Sequence, residues 1–105
     1  MKSSFRRLAP ALALVVLAAC IPDIPDDASP EVVYEMVCAR CHGGDLEGGL
    51  GPPLGKGSPS ADLPDDFIRM AITDGRGRMP SFVSTLTPQQ IEDLVGYIRE
   101  TQGGG

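Results

Sequence analysis

Cys38-Ala39-Arg40-Cys41-His42 is the stretch on which the reading of this 105-residue chain turns. Residues three apart on a helical turn are neighbours, so the two thiols lie on one side of the chain. An imidazole follows immediately. Side chains of this kind can hold zinc, work as a thiol–disulfide redox pair, close as a structural disulfide, or fasten a flat macrocycle through both sulfurs with the imidazole beneath it.

The rest of the chain discriminates among these uses. A zinc site needs four ligands, usually a second Cys or His pair. This chain has one His, and its third Cys, Cys20, lies near the N-terminus. A thioredoxin-like pair expects a βαβ setting, and no strand alternation occurs. A structural disulfide gives no reason for the His that follows. Covalent attachment of c-type haem accounts for all three side chains. Cys38 and Cys41 would form thioethers with the vinyl groups of a single haem, and His42 would be an axial ligand of its iron.

Outward from the motif, the pattern is helical. Ser29-Pro30-Glu31 offers a capping hydroxyl, Pro at the first helical position and an acid in the first turn. Val33, Tyr34 and Val37 then keep helical spacing up to Cys38. From Gly43 to Asp62 the chain holds seven Gly and three Pro, without periodicity. A structureless stretch of that length is unusual in a compact domain unless it has a task, and wrapping a flat cofactor would be one. A second helix is expected from Asp65 to Thr73, with Phe67, Ile68, Ala71 and Ile72 on one face and Gly75 past its end. Thr87-Pro88-Gln89-Gln90 is a capping box, and Ile91, Leu94, Val95 and Ile98 follow at i, i+3, i+4 and i+7. The fold class is all-α: three to four short helices and glycine-rich loops around one covalently bound haem. Tyr34 and Tyr97 are expected to meet where the first and last helices cross, near Gly96.

The N-terminus belongs to transport. Lys2, Arg6 and Arg7 precede an apolar run from Leu8 to Ala19, the layout of an export signal. About 20 apolar residues are needed to span a bilayer, and this run is shorter. It ends in Leu17-Ala18-Ala19-Cys20, which resembles the lipobox of bacterial lipoproteins and makes Cys20 the expected lipidated residue. Arg6-Arg7 is a poor match to a twin-arginine signal. The expected organisation is a signal peptide at 1–19, a Pro/Asp-rich extended tether at 20–28, one domain at 29–102 and a glycine tail at 103–105. Export also suits haem c, which is attached outside the cytoplasm.

Without residues 1–19, three of nine basic residues go and all fourteen acidic ones stay, leaving a net charge of −8. That surface excludes nucleic acid as a partner. It suits redox proteins with a basic docking face, and it also keeps an exported protein soluble. One domain is the ceiling for this length. A domain this small often relies on a cofactor for its core, and Gly and Pro together supply 23 residues of loop-forming chain.

From about Ser29 to Gln102 the sequence resembles a class I monohaem cytochrome c. The resemblance rests on Cys38-x-x-Cys41-His42, Gly51-Pro52-Pro53-Leu54, Met79-Pro80 and Leu94-Val95-Gly96-Tyr97-Ile98. It implies that the Pro52 carbonyl supports the His42 ring and that Leu54 packs on the haem. It implies Met79 as the second axial ligand, a soft thioether that raises the potential relative to a second His. Met79 sits in a loop after Gly75 and Gly77, whereas Met36 lies on the attachment side and Met70 within the second helix, where core packing is expected. Arg76 and Arg78 flank that loop and are candidates for the haem propionates.

The function implied is single-electron transfer by a monomer held by lipid to the extracytoplasmic face of a membrane, with a reductase or oxidase as partner. No catalytic base, nucleophile or open metal site is visible, so the chain is not expected to be an enzyme. Two alternatives stay open: a haem-based gas or redox sensor with a displaceable sixth ligand, and an electron-accepting subunit of a dehydrogenase or terminal oxidase complex.

Overall fold

The computed structural model describes residues 23–103. Their order is α1 (Pro30–Val37), α2 (Ala39–His42), a 3-10 turn (Pro59–Asp62), α3 (Asp65–Asp74) and α4 (Pro88–Thr101). Among the described residues there is no strand, only an isolated bridge between Arg76 and Met79. The three expected helices are present. α2 is a single turn formed by the motif itself, and the 3-10 turn falls inside the loop expected to be irregular.

The helix starts are as the local chemistry dictates. The Ser29 hydroxyl accepts from the Val32 N–H at 3.3 Å, with Pro30 opening α1. At α4 the Thr87 hydroxyl accepts from the Gln90 N–H at 3.1 Å, and the Gln90 amide oxygen accepts from the Thr87 N–H at 2.9 Å. Each such cap contributes about 1 kcal/mol.

α1 and α3 both pack on α4, which supplies Ile91, Leu94, Val95 and Ile98 to the core. Val33 and Tyr34 come from α1, and Ile68 and Ile72 from α3. Burying one such aliphatic side chain contributes about 1.5–3 kcal/mol. The Tyr34 and Tyr97 rings meet at the α1–α4 contact, 5.5 Å apart and tilted by 49°. Gly96 takes no part in it: the residue is exposed, and an added Cβ would meet nothing within 4 Å. The close approach comes from Tyr34 and Val33, both 1% exposed, and the glycine faces solvent. Met70 departs from expectation too, being 60% exposed because α3 turns Ile68 and Ile72 inward instead.

The end of the Pro/Asp-rich segment is folded. Extended chain is expected over 20–28, but Pro25 to Ala28 form a turn closed by an Ala28 N–H to Pro25 carbonyl bond of 3.0 Å. The buried Gln90 amide donates to the same carbonyl at 2.9 Å. Ile24 and Ala28 pack on the core. The signal at 1–19 and Cys20 lie outside the described residues. Among those described, no helix is long and apolar enough to cross a membrane.

Candidate haem site

Cys38 closes α1 and caps α2, so the motif begins at the junction of the two helices. One turn of helix then carries Cys41 and His42. Both thiols are free, Cys38 buried and Cys41 exposed. Burial, with the Cys41 charge adding, pushes the Cys38 thiol up to about 12. In the metal-free chain this is not the lowered value of an activated nucleophile. Nor do the described residues contain a group of three His, Cys, Asp or Glu side chains that could hold a metal ion.

His42 is buried and its ring is oriented. Nδ1 lies 2.8 Å from the Pro52 carbonyl oxygen. A carbonyl can only accept, so Nδ1 carries a proton, and in the neutral ring this tautomer leaves the Nε2 lone pair for a metal. Gly51 makes this approach possible. A Cβ there would stand 2.9 Å from His42 Cε1 and 3.0 Å from Nδ1. The Gly51 N–H also donates to the Cys41 carbonyl at 2.7 Å, drawing the Gly-Pro segment against the motif. One buried and one exposed free thiol on a single helical turn, an imidazole held through Nδ1 and a glycine cradle shaped to that ring fit covalent haem.

The expected loop residues are placed as follows. Pro52 is beside the His42 ring. Leu54 is half-buried against the core, its N–H donating to the Leu46 carbonyl at 2.9 Å. Met79 is also half-buried against the core. It is held in a tight turn in which Arg76 and Met79 exchange backbone hydrogen bonds of 3.0 and 2.9 Å. Gly75 lets the chain return over itself: its φ is +77°, and a Cβ would stand 2.7 Å from the Met79 carbonyl oxygen. The Arg76 guanidinium lies over the Phe67 ring, 4.9 Å from its centroid, and so clasps the loop to α3. Arg78 is exposed.

Three features of the site were not expected from the sequence. Leu46 is 4% exposed yet has a φ of +59°, a conformation that a leucine adopts only under tertiary constraint. Tyr34 donates its hydroxyl to the Gly43 carbonyl at 2.7 Å, tying α1 to the residue after His42. Arg99 and Gln102, at the end of α4, hold the 54–63 loop through backbone carbonyls. Only the aromatic character of Tyr34 marked any of these residues.

Comparison with known proteins agrees with this geometry. Residues 25–98 match the family described as Cytochrome C oxidase, cbb3-type, subunit III. The Menaquinol:cytochrome c reductase cytochrome c subunit of Bacillus subtilis (strain 168) is 37% identical over 81 residues, 75% of this chain and 30% of that protein. The chain therefore spans less than a third of that relative's length. Cytochrome c6 of Gloeothece citriformis (strain PCC 7424) is 35% identical over 78 residues, covering 71% of each. Among solved structures, the KustC0563 c-type cytochrome superposes with a TM-score of 0.64 at 26% identity, over 71% of this chain and 99% of that one. With the Cys38–Cys41–His42 motif in place for covalent haem, the chain belongs to the cytochrome c family.

Proposed function

We propose that this chain carries single electrons through one c-type haem held by His42 and Met79, tethered outside the cytoplasm by lipidated Cys20. The observation that carries the reading is the 2.8 Å contact from His42 Nδ1 to the Pro52 carbonyl, which leaves Nε2 free to coordinate. Haem, once bound, supplies an iron that changes charge by one electron. The protein's part is to hold that iron between two fixed side chains and to keep water from it. His42 enters as a neutral imidazole strengthened by its bond to Pro52. Met79 is presented by a short loop braced by Gly75 and Phe67.

The surface suits a partner with a basic docking face. Burial raises the Tyr97 hydroxyl pKa, and the negative charges of Glu31, Asp45 and Glu35 add to the rise. The test of ligation is spectroscopic. The ferric protein should show a Met–iron charge-transfer band that Met79→Ala abolishes; persistence of the band would refute Met79 as ligand. Ready binding of carbon monoxide by the ferrous protein at neutral pH would favour a sensor instead. Cys20→Ser should release the protein from membranes, and retention would refute lipidation.

The match to part of a reductase subunit supports a second reading, in which this domain works as an electron-accepting component of a larger complex. Co-purification with a membrane oxidoreductase would distinguish that arrangement from a free carrier.

A further inference from the structure

The last turn of α4 reaches back to the loop that supports His42. Gln102 Nε2 donates to the Leu54 carbonyl at 2.9 Å and to the Ser60 hydroxyl at 3.0 Å, using both of its hydrogens. Its Oε1 accepts from Arg99 Nη1 at 2.8 Å. A guanidinium only donates, so this contact fixes which end of the amide faces Leu54. Arg99 is itself immobilised. Nε donates to Asp65 at 2.7 Å, Nη1 to the Ser60 carbonyl at 3.1 Å, and Nη2 to the Leu63 carbonyl.

Leu54 is thus gripped at both polar groups, its N–H by the Leu46 carbonyl and its carbonyl by Gln102. Two residues earlier stands the carbonyl that receives the His42 proton. Few torsions separate the two carbonyls. Peptide planarity removes the ω angles. The Pro53 ring locks one φ. The paired hydrogen bonds of Leu54 fix its own φ and ψ, leaving ψ of Pro53 as the one soft angle.

We propose that Gln102, braced by Arg99, is a positioning residue for the axial imidazole: it sets the place of the Pro52 carbonyl and so the donor strength of His42. This inference rests on His42 being an iron ligand. A firm hydrogen bond at Nδ1 makes the imidazole a stronger donor and favours ferric iron. Loosening it raises the reduction potential.

The experiment uses the haem-loaded protein and Gln102→Met, which keeps length and volume, adds no charge, and cannot donate. At a fixed applied potential the ratio of oxidised to reduced protein should fall about threefold, about 30 mV at 59 mV per tenfold for one electron. The paramagnetically shifted ring resonances of His42 should move with it. Thr87→Ala, which removes the cap at the opposite end of α4, is the control. It should lower Tm and leave both readouts in place. An unchanged potential and unmoved resonances in Gln102→Met would overturn the proposal, as would an equal shift in Thr87→Ala, which would mark generic loosening. Absence of shifted His42 resonances from the parent protein would instead overturn the ligand reading, and this inference with it.

Discussion

The Tyr34 hydroxyl donates a 2.7 Å hydrogen bond to the Gly43 carbonyl, so a residue in the middle of α1 holds the backbone immediately after His42. The same ring packs at a tilt against Tyr97 of α4. One side chain therefore joins the helix crossing to the haem motif, and the two should loosen together when it is altered.

Tyr34→Phe keeps the ring contact and removes the bond. The expected loss is about 1 kcal/mol, more if the Gly43 carbonyl finds no water. A pH signature should accompany it. Burial is the largest cause raising the Tyr34 hydroxyl above its ordinary value of 10.0. The folded state therefore keeps a proton that the unfolded chain releases, and stability falls as pH rises past that ordinary value. Denaturant midpoints at about pH 9 and about pH 11, which bracket the tyrosine range, should differ less in Tyr34→Phe than in the parent. Tyr97 is shifted in the same direction, so part of the slope should persist.

Gly51→Ala tests the cradle around the imidazole. The new methyl would stand 2.9 Å from His42 Cε1, with a proline on its C-terminal side restricting how the backbone can give way. Overpacking of this kind costs about 1–3 kcal/mol. The yield of haem-loaded protein should drop, and the ferric spectrum should show weakened axial ligation. A normal spectrum at normal yield would show that the ring has room to move.

Gly75 and Gly77 both have positive φ but differ in surroundings. At Gly77 a Cβ meets nothing, so Gly77→Ala should cost only the backbone strain, about 1–2 kcal/mol. At Gly75 a Cβ would also press on the Met79 carbonyl at 2.7 Å. Gly75→Ala should therefore weaken the Met–iron charge-transfer band, whereas Gly77→Ala should retain it.

Gly96→Ala should stabilise the protein. The residue lies within α4, is exposed, and has open space where a methyl would go. Alanine is favoured over glycine in a helix interior by about 0.5–1 kcal/mol. Thermal unfolding should move upward by a few degrees; a decrease would reveal a packing role for the glycine that the α1–α4 crossing does not display.

What the sequence disclosed depended on how far apart the interacting groups lie along the chain. Thr87 and Gln90 cap α4 within a single turn, and Cys38, Cys41 and His42 share another, so both were readable from spacing. Ile91, Leu94, Val95 and Ile98 were readable because helical period alone decides which face is buried. The Gln90 amide, in contrast, ends on a carbonyl 65 residues away, and no pattern announces a partner that is backbone. Arg99 was similarly silent, since three of its acceptors are main-chain carbonyls. Leu46 takes a glycine-like φ because the folded loop compels it, against its own preference. The Tyr34–Tyr97 meeting near Gly96 was readable as well, although the glycine itself faces solvent and the crossing is made by large side chains.

The turn at Pro25 changes the mechanics of anchoring. With Cys20 acylated as proposed, the leash is not the nine residues that composition suggests, because Ile24 is already docked on the domain. Four residues of chain reach at most about 14 Å even when fully drawn out. A domain on so short a lead cannot sweep the space between membranes in search of partners. Its traffic becomes two-dimensional, confined to a skin above the lipid headgroups, where a membrane-bound donor or acceptor meets it at high local concentration and a freely dissolved one gains no such advantage.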